Sequence, residues 1–190
     1  VCDKFSNPEW IASDLIGQAE HDNLSQCILI SKNKNIIKKV NDEIFKQLKE
    51  IPRAIIAKNS ILTNGILIYI PSNQKIIYTV NKIAPEHLEL NIKNYKKIVN
   101  KIKNSGSICL GKYAVMAMTD YNVGSNHVLP TNSSARYSSG ISVNEFYKRI
   151  SYINLSKKGI ETLGPSVITL ANYEGLVGHA KSVEKRIGRK

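Results

Sequence analysis

The chain has 190 residues and a formal net charge of +12, enough length for one good core and a small appendage. No apolar run approaches the ~20 residues needed to span a bilayer, and no charged-then-apolar signal pattern opens the chain. The basic excess is mostly lysine spread over helix-like segments, so it reads as solvated surface and excludes a nucleic-acid site, where arginine makes the commonest base contact. Three cysteines, Cys2, Cys27 and Cys109, are odd in number and form no Cys-x-x-Cys pair, which points to buried free thiols in a reducing, cytoplasmic compartment.

In chain order, Asn7-Pro8-Glu9 is a helix start: an N-cap, a proline at the first helical position, then an acid. Ile11, Leu15, Ile16 and Ala19 follow at helical spacing, and Gln18 and His21 stand three apart near the end of this helix. Gln26 to Ser31 reads as a buried strand. Asn35 to Glu50 is amphipathic, with Ile36, Ile37, Val40, Ile44, Phe45 and Leu48 on one side. Pro52 opens a further helix to about Leu62, and Gly65 leads into the strand Ile66–Ile70. Ser72 caps a helix to about Ile83, which Pro85 stops, and Glu86-His87 follows at once. Asn91 to Ile102 is expected to be a lysine-rich helix and Ser107 to Leu110 a short strand. A short helical run leads into Asp120.

Strands alternating with helices over residues 8–120 predict an α/β fold with a mostly parallel sheet flanked by helices. Ligands in such sheets gather beyond the carboxyl ends of strands, and Glu86-His87 and Asp120 are expected in connections of that kind. The stretch from Asp120 to Thr131 is too polar for a core element, and Gly124 and Pro130 mark it as a loop. Beyond Ser142 the pattern changes. Arg149 to Ser156 alternates like a lone strand, and helices are expected from about Lys158 to Tyr173 and from Leu176 to Arg186. The predicted division is therefore an α/β domain over 1–142 and a small α+β tail over 143–190. A tail that short rarely folds alone, so it is expected to dock on its own body or on a partner.

Each of the four histidines sits near another chemistry-bearing group: His21 near Gln18, His87 beside Glu86, His127 after Asp120, His179 after Glu174. Imidazole and carboxylate are zinc-ligand types. No nucleophile elbow, P-loop, Gly-x-Gly-x-x-Gly or His-Glu-x-x-His is present.

Several segments together resemble one family. Asp14-Leu15-Ile16-Gly17-Gln18-Ala19-Glu20-His21-Asp22 is similar to the Asp-Leu-Leu-x-Gln-Ala-Glu-His segment of histidinol dehydrogenase. Ala84-Pro85-Glu86-His87-Leu88 resembles that family's Pro-Glu-His-Leu motif. Gly111-Lys112-Tyr113, Asp120-Tyr121 and Asn126-His127-Val128-Leu129-Pro130-Thr131 resemble its central signature. Glu174-Gly175-Leu176 and His179-Ala180-Lys181-Ser182-Val183 resemble its carboxy-terminal segment. These segments run along the whole chain in the family's order.

The resemblance implies a Rossmann-like sheet, incomplete at its amino terminus because Val1-Cys2-Asp3 would begin inside a strand. It implies the NAD-dependent oxidation of L-histidinol to L-histidine in two steps, through an aldehyde. One zinc ion per subunit would be held by Gln18, His21, Asp120 and His179. His87 would be the base for the alcohol proton, and Glu86 would activate the water that hydrates the aldehyde. Glu174 and His127 would hold the substrate from its other end, with Gln18, His21, His87, Asp120 and His179 also bordering it. The tail would reach a neighbouring subunit's site in a homodimer. The family chain is much longer, and the nucleotide-contacting part lies amino-terminal to this stretch, so no NAD-binding residue is assigned. The alternative is a truncated, non-catalytic remnant that binds zinc or dimerises.

Overall fold

The computed structural model describes residues 1–123 and 126–188. Gly124, expected to punctuate the central loop, lies outside the described residues. The chain divides into two compact units, Val1–Val143 and Asn144–Lys190.

The first unit alternates helix and strand: α1 (Pro8–Ala19), β1 (Ile28–Ser31), α2 (Lys34–Gln47), α3 (Ala54–Asn64), β2 (Ile66–Tyr69), α4 (Asn73–Ile83), β3 (His87–Leu90), β4 (Ser107–Leu110) and α5 (Met116–Tyr121). The helix starts follow their capping chemistry. Asn7, Asn33 and Ser72 each accept a backbone N–H with their side-chain oxygen, which satisfies amides that an α-helix leaves orphaned.

β1 pairs with β2 in parallel, Ile28 opposite Ile66, and β3 pairs with β4 in parallel, His87 opposite Ser107. Cys2 forms a parallel bridge to Ser31 on one side and to Asn91 on the other. Its amide donates to Ile30 O at 3.0 Å, and the Asn91 amide donates to Val1 O at 2.9 Å. The order across the unit is thus β2, β1, the Val1–Cys2 segment, β3, β4, all parallel. One apolar cluster lies under α1 and α2, with Ile11, Ile16, Leu29, Val40 and Ile44 at its centre. A second joins Ile30, Ile76, Val80, Leu88, Leu90 and Ile98.

Three elements differ from the sequence expectation. His87–Leu90 is a strand, although its composition is half charged or polar. Leu88 and Leu90 are buried while His87 and Glu89 take the opposite face, which is the period-2 pattern of a strand. The stretch Asn91 to Ile102 is not an α-helix but two 3₁₀ turns, Tyr95–Lys97 and Val99–Lys101. Its backbone groups are claimed from outside. Asp3 Oδ2 accepts from Lys93 N at 2.8 Å, and Asn81 donates to Lys101 O at 2.9 Å and accepts from Lys103 N at 2.7 Å. Such side-chain bonds compete with the helical ladder.

The third difference is in the second unit, whose tail carries no strand among the described residues. Arg149 to Ser156 has no regular structure, and Ile150, Tyr152, Ile153 and Leu155 are all exposed. A strand needs a partner ladder, and none runs beside this segment. The unit consists of α6 (Lys157–Tyr173) and α7 (Val177–Glu184), with a 3₁₀ turn at Val143–Phe146 at its entrance. Gly164 lets α7 approach α6, since a Cβ there would meet Val183 Cγ1 at 3.0 Å. No helix among the described residues is long and apolar enough to cross a membrane.

Candidate active site

α1 buries Ile11, Ala12, Ile16 and Ala19, which fixes its roll and leaves Asp14 and Gln18 half-buried beside them. The helix ends in a turn where the His21 amide donates to Gln18 O at 3.4 Å. The Arg53 guanidinium donates to His21 O at 3.3 Å and pins that turn from α3's start. The His21 side chain itself is exposed within this unit.

α4 stops at Ala84, which is fully buried and left-handed at φ 51°. Only glycine takes that region without cost, so packing holds this alanine there. Pro85 and Glu86 then lead into β3. Pro85 O accepts from Gly106 N at 3.0 Å and Glu86 O accepts from Ser107 N at 2.8 Å. His87 is the first residue of β3. Glu86 and His87 therefore stand at the amino ends of the strands, where α1 also terminates. That corrects the expectation of a site beyond the carboxyl ends. The reason is the missed strand: with β3 starting at His87, Glu86 and His87 precede a strand and do not follow one.

His87 Nε2 lies 3.8 Å from Glu86 Oε1. Burial lowers the His87 pKa. The carboxylates of Glu86, Asp120 and Glu89 pull it back up, and His21 adds a further lowering. These influences put Glu86, His21 and Asp120 within electrostatic reach of one imidazole. A cleft of about 690 Å³ is lined by Gln18, Glu86 and His87, together with Asp14, Glu89 and Met116.

Asp120 sits in the last turn of α5. Its Oδ1 is buried and has no hydrogen-bond partner among the described residues. An orphaned buried carboxylate oxygen is costly, and a cation would relieve it. No three His, Cys, Asp or Glu side chains converge as a metal cage among the described residues. Two such groups, His21 and Asp120, and the Gln18 amide are what the first unit offers, and imidazole, carboxylate and amide oxygen are donor types that zinc accepts. The donor chemistry of these three residues fits a zinc ion.

His127 is exposed on the segment after α5. Its loop is anchored beside Glu86. Pro130 is buried against Gly106, and the Ser133 hydroxyl donates to Ile83 O at 2.7 Å. Glu174 and His179 belong to the second unit and are exposed there. Glu174 caps the end of α6, and the His179 amide donates to Leu176 O at 2.9 Å in the first turn of α7.

Residues 1–187 match the family profile described as histidinol dehydrogenase. The chain belongs to the histidinol dehydrogenase family. It is 90% identical over 190 residues to histidinol dehydrogenase of Pelagibacter ubique (strain HTCC1062), covering 100% of this chain and 44% of that protein. Against the Listeria monocytogenes enzyme (serovar 1/2a, strain EGD-e) it is 43% identical over 186 residues, 98% of this chain and 44% of the relative. The crystal structure of histidinol dehydrogenase from Elizabethkingia anophelis superposes with a TM-score of 0.85 at 38% identity, over 98% of this chain and 43% of that one. The chain thus spans less than half the length of the histidinol dehydrogenases it matches.

Sequence reasoning passed over three residues at this cleft. Asp14 and Glu89 line it, and after burial the Glu89 carboxylate is what pushes the Asp14 carboxyl up. Gly106 lies so close to Glu86 that a Cβ would meet Glu86 O at 2.6 Å. The available signals were small: an acid one helical turn before Gln18, an acid alternating with His87, and a glycine just ahead of a strand.

Proposed function

We propose that this stretch supplies the metal-holding and acid–base portion of a zinc- and NAD-dependent histidinol dehydrogenase, which oxidises L-histidinol to L-histidine in two steps. The observation that carries the reading is the half-buried His87, lowered by burial and 3.8 Å from the Glu86 carboxylate, in a cleft shared with Gln18. Burial disfavours the charged imidazole, and the neutral ring is the form that accepts a proton.

Gln18, His21 and Asp120 hold zinc from the first unit, and the orphaned Asp120 Oδ1 supports that role. Bound zinc supplies a template that orients the imidazole and amine nitrogens of the substrate. His87 takes the hydroxyl proton of the alcohol at a ring nitrogen, and NAD, when bound, would accept the hydride of the adjoining carbon. For the second step Glu86 removes a proton from the water that adds to the aldehyde, whose carbonyl oxygen takes up a proton as the hydrate forms, and a second NAD would accept the hydrate's hydride as a hydroxyl proton leaves. Half-burial of Glu86 and His87 limits competing water. His127 and Glu174 bind the far end of the substrate.

The second unit, in this reading, docks on a neighbouring subunit of a homodimer and delivers Glu174 and His179 to that subunit's site. Support comes from its bare apolar surface: Phe146, Tyr152, Ile153, Leu163, Leu170 and Tyr173 are all exposed, more than a solvated appendage ordinarily shows. The compartment is the cytoplasm, in keeping with the three buried free thiols.

The test is to join this stretch to the remainder of a family-length chain, supply zinc, NAD and histidinol, and follow NADH absorbance. NADH formation that a chelator abolishes is expected. Stoichiometric zinc without any NADH would overturn the catalytic reading and leave a metal-binding remnant.

A further inference from the structure

Open parallel sheets hold ligands in a crevice beyond the carboxyl ends of their strands, at the point where the strand order reverses. In the first unit β1 and β2 lie on one side of the Val1–Cys2 segment, and β3 and β4 lie on the other. The order therefore reverses between that segment and β3. A crevice is expected there, between the loop Asp3–Asn7 that enters α1 and the loop that follows Leu90.

That crevice is closed by one carboxylate. Asp3 Oδ1 accepts from Phe5 N at 2.8 Å, within its own loop. Asp3 Oδ2 accepts from Lys93 N at 2.8 Å, in the loop on the far side. Beneath them the Ser6 hydroxyl donates to Asn91 O at 2.6 Å and accepts from Asp3 N at 3.0 Å, and both Ser6 and Asn91 are buried. Above them the ammonium groups of Lys4 and Lys93 each stand 5.1 Å from the centroid of the exposed Phe5 ring. Neither lysine forms a salt bridge among the described residues. Two backbone N–H groups on one carboxylate, with two uncommitted cations beside it, are the surroundings of a bound anion.

We propose that Asp3 is a built-in anion, whose carboxylate fills the place where this sheet would otherwise grip a phosphate group and ties the two loops together across the reversal. Each oxygen of a carboxylate can accept from one of the two amides, which a neutral side chain of that length cannot match. Being tethered, it avoids the loss of translational freedom that a free anion suffers on binding. Free phosphate therefore does not displace it, and the diphosphate of a dinucleotide is not held at this edge. The inference goes beyond the zinc and acid–base reading, which concerns the opposite edge of the sheet.

The experiment compares wild type, Asp3→Ala and Asp3→Asn in a family-length chain, with inorganic phosphate as the probe and chloride at matched ionic strength as the control. Residue-resolved hydrogen–deuterium exchange reads the Phe5 and Lys93 amides, and Tm is read alongside. In wild type both amides are expected to be protected, with phosphate changing neither. Asp3→Ala should exchange both ~10–100-fold faster, the size of a hydrogen bond to a charged group. Phosphate should then restore their protection saturably and raise the Tm of this variant alone. Asp3→Asn turns an N–H₂ toward one of the two amides, so one of them should exchange faster while the other stays protected. Unchanged exchange in Asp3→Ala would overturn the proposal, as would a lack of phosphate response in that variant or an equal response in wild type. If Asp3→Ala does not fold, Asp3→Asn decides: two amides as protected as in wild type, or a freed amide that phosphate leaves unprotected, would overturn it equally.

Discussion

His87 Nε2 stands 3.8 Å from Glu86 Oε1, too far for a hydrogen bond between them. Each group is therefore free to address a substrate, and neither spends its capacity on the other. Glu86→Gln should slow oxidation of the aldehyde more than oxidation of the alcohol, because only the aldehyde step needs an activated water. His87→Asn should slow the alcohol step. A general base is typically worth ~10²–10⁴-fold, so rate assays started from the alcohol and from the aldehyde will separate the two. Equal losses in both steps for Glu86→Gln would contradict the division.

The buried, unpartnered Oδ1 of Asp120 predicts a metal-dependent stability. A ligand that binds only the folded state raises the unfolding midpoint by mass action. Zinc should raise the Tm of the wild-type protein, and His21→Ala and Asp120→Ala should abolish that rise and lose bound metal on elemental analysis. His127→Ala should keep its zinc, since the proposed function gives His127 to the substrate and not to the metal. Stoichiometric zinc in purified Asp120→Ala would sink the ligand assignment.

Gly106 is wedged between the acid–base pair and the central loop. A Cβ there would meet Glu86 O at 2.6 Å and Pro130 Cδ at 2.9 Å. Gly106→Ala must push Glu86 or Pro130 aside, and overpacking of this kind typically costs ~1–3 kcal/mol. A lower Tm together with a slower aldehyde step is expected. Gly17→Ala is the control, with nothing within 4 Å of its added Cβ. It should stabilise α1 by ~1 kcal/mol, the ordinary helix-propensity gain.

Asp14 gives stability a pH dependence of known sign. Its folded value is about 7 against an ordinary 3.8. Between those values the folded chain keeps a proton that the unfolded chain has released, so stability falls as pH rises through the window and levels off above it. His87 works the other way: its pKa is lowered on folding, so its contribution is lost as pH falls below the ordinary histidine value. Comparing Asp14→Asn with wild type cancels His87. Urea midpoints should show the variant gaining on wild type as pH rises from 3.8 to about 7. A difference that is flat across the window would mean that folding leaves the Asp14 carboxyl at its ordinary value.

An experiment on this chain alone tests the need for the remainder of the family chain. This chain, covering 44% of its Pelagibacter relative, should give no NADH from histidinol on its own. Hydride transfer requires the nicotinamide at ~3–3.5 Å from the reacting carbon, and no nucleotide-binding stretch is recognisable in the sequence. Robust turnover by the chain alone would show that the cofactor site is here after all.

Much of the scaffold was legible because its signals are local. Asn7-Pro8 and Ser72 announce helix starts that the structure confirms, and Ile28–Ser31 and Ile66–Tyr69 are apolar runs between breakers. β3 was not legible, because His87 and Glu89 put ionisable groups on a four-residue strand and disguise its alternation. The stretch after it was misread because Asp3 and Asn81, distant in sequence, take the backbone groups a helix would need. The residues proposed for the site could be named one by one, because each lies in a short recognisable segment. That Asp14 and Glu89 line one cleft could not, since the two are distant in sequence and meet only in the folded chain.

The position of the site at the amino edge of the sheet also decides which charges it welcomes. Helices that cross between parallel strands return with their carboxyl ends at that edge, and α1 and α4 finish there, at Gln18 to His21 and at Ala84. Each helix brings unsatisfied carbonyls and a partial negative charge of ~0.5 electron. Dinucleotide sites use the opposite pole, where helix amino ends cradle phosphate. A metal ion or a protonated amine is favoured by the field at Gln18 and Glu86. A pyrophosphate is repelled by it.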